Sequence, residues 1–230
     1  VKLNESGNLI EKWCTIDTIP YYRNIVNIKF IKDTVYAFGR AEPHDSENNS
    51  PFVFLKKLTT NLNQLSEYRY YLDSSLYSAI HDFSRVKYVD GKFLYFSSVA
   101  KNDPSIRIAP FLLEISKNGN LVKELYDHVS VYHHILYDII IKPDNEGYYT
   151  FMLENSPQAN LLGFIYDYDA HLSNLVKTEM PNDFDRFFSA IPINDSTFYV
   201  SGSYKDPDPF SIRQVGVMKM NYNGTAYNTY

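Results

Sequence analysis

FLLEISKNGNLVKEL, Phe111 to Leu125, carries an alternating apolar run into a Lys-Asn-Gly-Asn turn and out again as a second run. Gly119 stands at the third turn position, where a tight strand-to-strand connection needs positive φ and only glycine reaches it without strain. Four other segments share this plan: VKLNESGNLIEKW from Val1, FLKKLTTNLNQLSEY from Phe54, FIYDYDAHLSNLVKTE from Phe164 and VMKMNYNGTAYNTY from Val217. Gly7 and Gly224 hold the place of Gly119, and Asn63 and His171 stand at or near it in the degenerate copies. Successive turns lie 52 to 56 residues apart. A fixed period of that length is the mark of a repeat architecture.

Before each copy of this hairpin stands another. NIVNIKFI (Asn24 to Ile31) meets Lys32-Asp33 and VYAFG, and DFSRVKYV (Asp82 to Val89) meets Asp90-Gly91 and KFLYFSSV. YDIIIK (Tyr137 to Lys142) precedes the Pro143 to Gly147 turn and YYTFML, and RFFSAIPI (Arg186 to Ile193) precedes Asn194-Asp195 and TFYVSGS. Asp, Asn and Gly between apolar runs tolerate the left-handed region, which makes each pair a hairpin signal. No segment of 10 to 15 residues has helical periodicity. Ser75 to Arg85 comes nearest, and its Ser and Tyr content reads as loop. Aromatics form 16% of the chain, with 21 Tyr and 15 Phe, both strand-favouring types.

The reading is an all-β chain of four-stranded antiparallel β-propeller blades in one domain, 1–230. Residues 1–20 give an outer hairpin of a partial blade, and 21–76, 77–130, 131–183 and 184–230 give one blade each. A run of sandwich domains would need about 100 residues per unit, twice this period. Four blades plus an unmatched hairpin do not close a ring by strand exchange, so an incomplete ring or part of a larger propeller is expected.

Strand-[DN]-G/D-strand followed by K-x-[DN]-x-[GN]-x-L resembles the blades of bacterial surface and secreted propellers, including kelch-like ones. The likeness spans nearly the whole chain. The chain lacks the Gly-Gly pairs of kelch repeats, the Trp-Asp dipeptides of WD40 repeats and the S-x-D-x-G-x-T-W box of sialidases, so no residue is carried over.

A net charge of -5 and a pI near 5.7 argue against nucleic acid or an anionic membrane as partner. No apolar run reaches the length of a membrane span, and no signal peptide is visible. A chain opening at Val1 reads as a mature or trimmed product, or a piece of something longer. The single cysteine, Cys14, excludes an intrachain disulfide framework and reads as a buried strand residue. Sequons at Asn4, Asn48, Asn194 and Asn223 number little more than this composition yields by chance.

In a propeller the innermost strands start at one face, where loops make a funnel and ligands bind. Sequence brings there Tyr22, Arg23 and Asn24; His81, Asp82 and Arg85; His133, His134, Tyr137 and Asp138; and Asp183, Asp185 and Arg186. Partner loops add Glu42, His44 and Asp45; Lys101, Asn102 and Asp103; Glu154 and Asn155; and Lys205, Asp206 and Asp208. The ligand-binding set is Tyr22, Arg23, His81, Asp82, His133, Tyr137, Asp138, Asp185 and Arg186. Three aspartates, Asp82, Asp138 and Asp185, open inner strands. A ring of carboxylates serves a cation or glycoside hydrolysis, whereas Asp before a strand is also ordinary turn chemistry. His133 and His134 point to opposite strand faces and have no further ligand at metal spacing, so neither a metal nor a cofactor is expected. Two functions stay open. The first is a non-catalytic binding or scaffolding module for a protein or glycan, extracellular or at a cell surface, in which further blades of a larger chain are possible partners. The second is a glycoside hydrolase-like enzyme using two of Asp82, Asp138 and Asp185, helped by Arg23 or Arg186 and His81.

Overall fold

The structure, a computed structural model, describes residues 2–3, 9–11, 21–43, 50–73, 75–80, 84–102, 108–127, 133–142, 146–155, 161–179, 184–204, 214–223 and 225–229. The chain is all-β, of the β-propeller class, and the described residues contain no helix. They form two compact units, Val1–Leu72 and Asp73–Tyr230.

The first unit holds a short hairpin, β1 (Lys2–Leu3) with β2 (Leu9–Glu11), and one blade. That blade is β3 (Tyr21–Ile31), β4 (Thr34–Pro43), β5 (Phe52–Thr59) and β6 (Gln64–Tyr71), paired antiparallel in chain order. Gly39 on β4 is required by its neighbours. A Cβ there would come within 2.2 Å of the Phe54 ring and 2.3 Å of the Asn24 carbonyl oxygen. The space it leaves lets Phe54 lie across the sheet beside Ala41 and Phe52.

The second unit stacks three blades. The first is β7 (Tyr77–Ile80) and β8 (Arg85–Val89), both paired with β9 (Lys92–Lys101), then β10 (Ile108–Ser116) and β11 (Leu121–Tyr126). The second is β12 (His133–Ile141), β13 (Gly147–Asn155), β14 (Leu161–Asp169) and β15 (Asn174–Glu179). The third is β16 (Phe184–Pro192), β17 (Thr197–Tyr204), β18 (Gln214–Asn221) and β19 (Ala226–Thr229). Strand β7 corrects the loop reading of Ser75 to Arg85. There Tyr77 is buried and stacks on Tyr126 at 4.6 Å, so aromatic packing selects strand.

Blades pack face to face. Leu94, Phe96 and Leu112 meet Leu136, Ile139, Tyr148, Met152 and Tyr168 in one core cluster. Ile140, Phe151 and Ile165 meet Ala190, Phe198, Val200, Met218 and Met220 in the next. Ile139 and Ile140, adjacent on β12, point to opposite faces and feed the two cores in turn, as a doubly covered strand must.

The outer hairpins repeat one turn four times. In each, the first residue's backbone N–H donates to the carbonyl four residues on: Thr59 to Asn63, Ser116 to Asn120, Asp169 to Ser173 and Asn221 to Thr225. Each first residue also accepts, through its side-chain oxygen, the N–H of that fourth residue. The recurring acceptor, Thr, Ser, Asp or Asn, is the repeat's most regular chemistry.

Candidate functional site

Asp138 is the one of the three funnel aspartates whose side chain is described. A bulge on β12 inserts Tyr137 as an extra residue between Leu136 and Asp138, which pair with Met152 and Phe151. Strand side chains alternate, so the extra residue turns Asp138 away from the face that Leu136 shares with the core. Asp138 is 2% exposed, and its oxygens are taken from three sides. Its Oδ1 accepts the N–H of Ile139 at 2.8 Å. Its Oδ2 accepts the Ala190 N–H at 2.8 Å and the Ser189 hydroxyl at 2.9 Å, both from β16. From β8, Lys87 Nζ stands 3.4 Å and Arg85 Nε 3.9 Å from Oδ1. Innermost strands of all three blades of the second unit thus converge on one carboxylate. A carboxylate survives such burial only when its lone pairs are met by donors and cations.

Arg85 and Lys87 are two apart on β8 and so share a face; each side chain is about one third exposed. Behind Arg85 lies a buried hydroxyl network, in which Ser84 Oγ lies 2.9 Å from both Tyr95 Oη and Ser97 Oγ. The β8 side of this blade is irregular. Ile80 pairs with Val99 and Arg85 with Phe96, so β7 and β8 meet the same edge of β9 as two separate strands.

Of the other sequence candidates, His81 and Asp82 lie outside the described residues, as do His44, Asp45, Asp103, Asp183, Lys205, Asp206, Asp208 and Cys14. Tyr22, His133, Asp185 and Arg186 are described in backbone alone, on β3, β12 and β16. Asp185 has no cross-strand partner, because Phe184 pairs with Tyr204 and Arg186 with Ser203. Tyr137 packs against the core cluster that joins the second and third blades of its unit.

Arg23 belongs to a separate arrangement in the first unit. Its guanidinium lies 5.3 and 5.6 Å from the Phe52 and Phe54 ring centres and bonds Glu67 at 3.2 Å. Lys56 and Arg69 also pair with Glu67, at 3.1 and 2.7 Å. Burial works to raise the Glu67 carboxyl, but hydrogen bonds from Arg69 and Lys56 and the charges of Lys56 and Arg23 outweigh it and hold the group below its ordinary range. This is a covered ion cluster across one blade face.

Sequence reasoning missed Lys87 and Ser189. Both carry the period-2 signal, Arg85-x-Lys87 and Ser189-x-Ile191, but nothing local links them to an aspartate some fifty residues away.

No family model matches the chain, and no curated protein matches it. Solved structures do. An α-L-arabinofuranosidase of GH43 from Clostridium thermocellum is 13% identical over 88% of this chain and 69% of its own, with a TM-score of 0.47. The GH43 protein BlXynB of Bacillus licheniformis is 10% identical over 91% of this chain and 42% of its own, also at 0.47. A Synechocystis apocarotenoid oxygenase is 14% identical over 85% and 45%, at 0.44. Identities this low concern architecture, and no residue role passes from these proteins to this one. The expectation of a non-catalytic binding or scaffolding module is corrected at this point. The GH43 structures stand with the glycoside hydrolase alternative, and none of the three compared is a kelch-like protein.

Proposed function

We propose that the second unit is a glycoside hydrolase-like enzyme whose chemistry sits where β8, β12 and β16 meet. The observation that supports this reading is the Asp138 carboxylate, almost fully buried on an innermost strand and joined to Arg85, Lys87 and Ser189. With both oxygens occupied, Asp138 is suited to supply fixed negative charge beside a developing oxocarbenium ion. It is not suited to carry a proton to and from water. Proton transfer then falls to Asp82 and Asp185. Asp82 lies three positions before Arg85, a reach of at most about 11 Å, and Asp185 four positions before Ser189, at most about 14 Å. Those tethers admit the carboxyl spacings of roughly 5 to 9.5 Å that retaining and inverting cleavage require.

The test is hydrolysis of a panel of 4-nitrophenyl pentosides and hexosides, with Asp82→Asn and Asp185→Asn beside the parent. Each substitution is expected to lower kcat/KM by about 10²- to 10⁴-fold with the melting temperature unchanged. A parent protein inactive on every glycoside, or variants as active as the parent, would overturn the reading.

A further inference from the structure

The second unit has a cleft away from Asp138, between the β13–β15 face of its second blade and the turn after β18 in its third. It encloses about 370 Å³, at the lower end of small-ligand sites. Tyr149 and Tyr222 line it with rings stacked at 4.2 Å and 15°. Asp167, Thr178 and Asn223 supply polar groups to the wall. Lys142 Nζ bonds Asp167 at 2.5 Å and lies 5.2 Å from the Tyr149 ring centre. The Tyr222 hydroxyl is buried and meets no hydrogen-bond partner among the described residues. An unmet buried hydroxyl costs about 1–3 kcal/mol, which a ligand hydroxyl would offset.

We infer that this cleft is a secondary binding site for a neutral sugar ring. Asp167 on the wall disfavours an anion, and Lys142, already seated on Asp167, disfavours a cation. A purely apolar ligand would strand Asp167, Thr178, Asn223 and the Tyr222 hydroxyl without water. A sugar offers hydroxyls to those four groups and C–H groups to the tyrosine pair and Ile165. Burial pushes the Tyr222 hydroxyl above its ordinary range, with help from Tyr149 and Asp195, so it stays a hydrogen-bond donor. The inference rests on the glycan reading only for the choice of probes.

The test titrates the full chain with cellobiose, xylobiose and α-1,5-arabinobiose, following tyrosine fluorescence and backbone amide shifts. At least one is expected to bind saturably in the millimolar range. Tyr222→Phe is expected to weaken it about three- to tenfold, and Asp167→Asn to weaken it further. Without sugar, Tyr222→Phe leaves the melting temperature unchanged or raises it, because it removes an unmet polar atom. Hydrolysis of a 4-nitrophenyl monosaccharide by Tyr222→Phe stays at the parent rate. Absence of saturable binding by all three sugars, or binding indifferent to Tyr222→Phe and Asp167→Asn, overturns the site. Binding that persists in a protein hydrolysing no glycoside overturns only the catalytic proposal.

Discussion

Asp138→Asn tests whether the carboxylate holds the three inner strands together. Asparagine keeps the shape, and its carbonyl oxygen can still accept from Ala190 and Ser189. Its amide group then faces the Ile139 N–H donor to donor, where Oδ1 had accepted at 2.8 Å. One buried unmet donor costs about 1–3 kcal/mol. Loss of the pairs to Lys87 and Arg85 adds less, about 1 kcal/mol together, because each cation is roughly one third exposed and regains water. The sum is about 2–4 kcal/mol. For a unit of this size that lowers the melting temperature by about 5–15 °C, read by calorimetry. Lys87→Met alone should cost under about 1 kcal/mol, and the two changes together should cost somewhat less than their sum, because they share one pair. A drop of less than about 2 °C in Asp138→Asn would refute the reasoning, since the donors would then find partners elsewhere.

Three further outcomes are expected. Glu67 is held below its ordinary value of 4.5, so its contribution to the first unit is complete above that pH and is lost as pH falls through the lowered value; Glu67→Gln should flatten the acid limb of a melting-temperature profile. Gly39→Ala places a methyl group against the Phe54 ring and the Asn24 carbonyl and should cost the first unit at least about 1–3 kcal/mol in urea unfolding. Ile191, Tyr199, Val215 and Val217 lie 63%, 43%, 74% and 42% exposed on one face of the β16–β19 sheet, so the protein should self-associate with rising concentration in sedimentation velocity, and Ile191→Lys with Val215→Lys should suppress it.

The hairpins were legible because their chemistry is local. Alternation, Asp90-Gly91 and Lys117-Asn118-Gly119-Asn120 each act within a few residues, and Gly91 and Gly119 do hold φ of +79° and +93°. The site was legible only in part. Asp138 was found as a strand-opening aspartate, but the bulge at Tyr137 and the donors from β8 and β16 depend on packing between blades. The degenerate turns mark the boundary between the two kinds of information. Asn63 and His171 are the residues a turn propensity selects, yet positive φ falls one place away, on Leu62 and Leu172, each at 61°. At the Leu172 position the side chain explains why strain is tolerated: it is 3% exposed inside the core between two blades. Leu62 is only half-buried. A left-handed leucine costs about 1–2 kcal/mol of backbone energy at either place. Leu172→Gly relieves that strain but empties a core position worth about 2–5 kcal/mol, for a net loss of up to about 4 kcal/mol. Leu62→Gly gives up little burial and should fall within about 1 kcal/mol of the parent, on either side. Urea unfolding of both variants decides it. Equal losses would mean that burial does not explain leucine at the strained position, and that the turn itself requires the side chain.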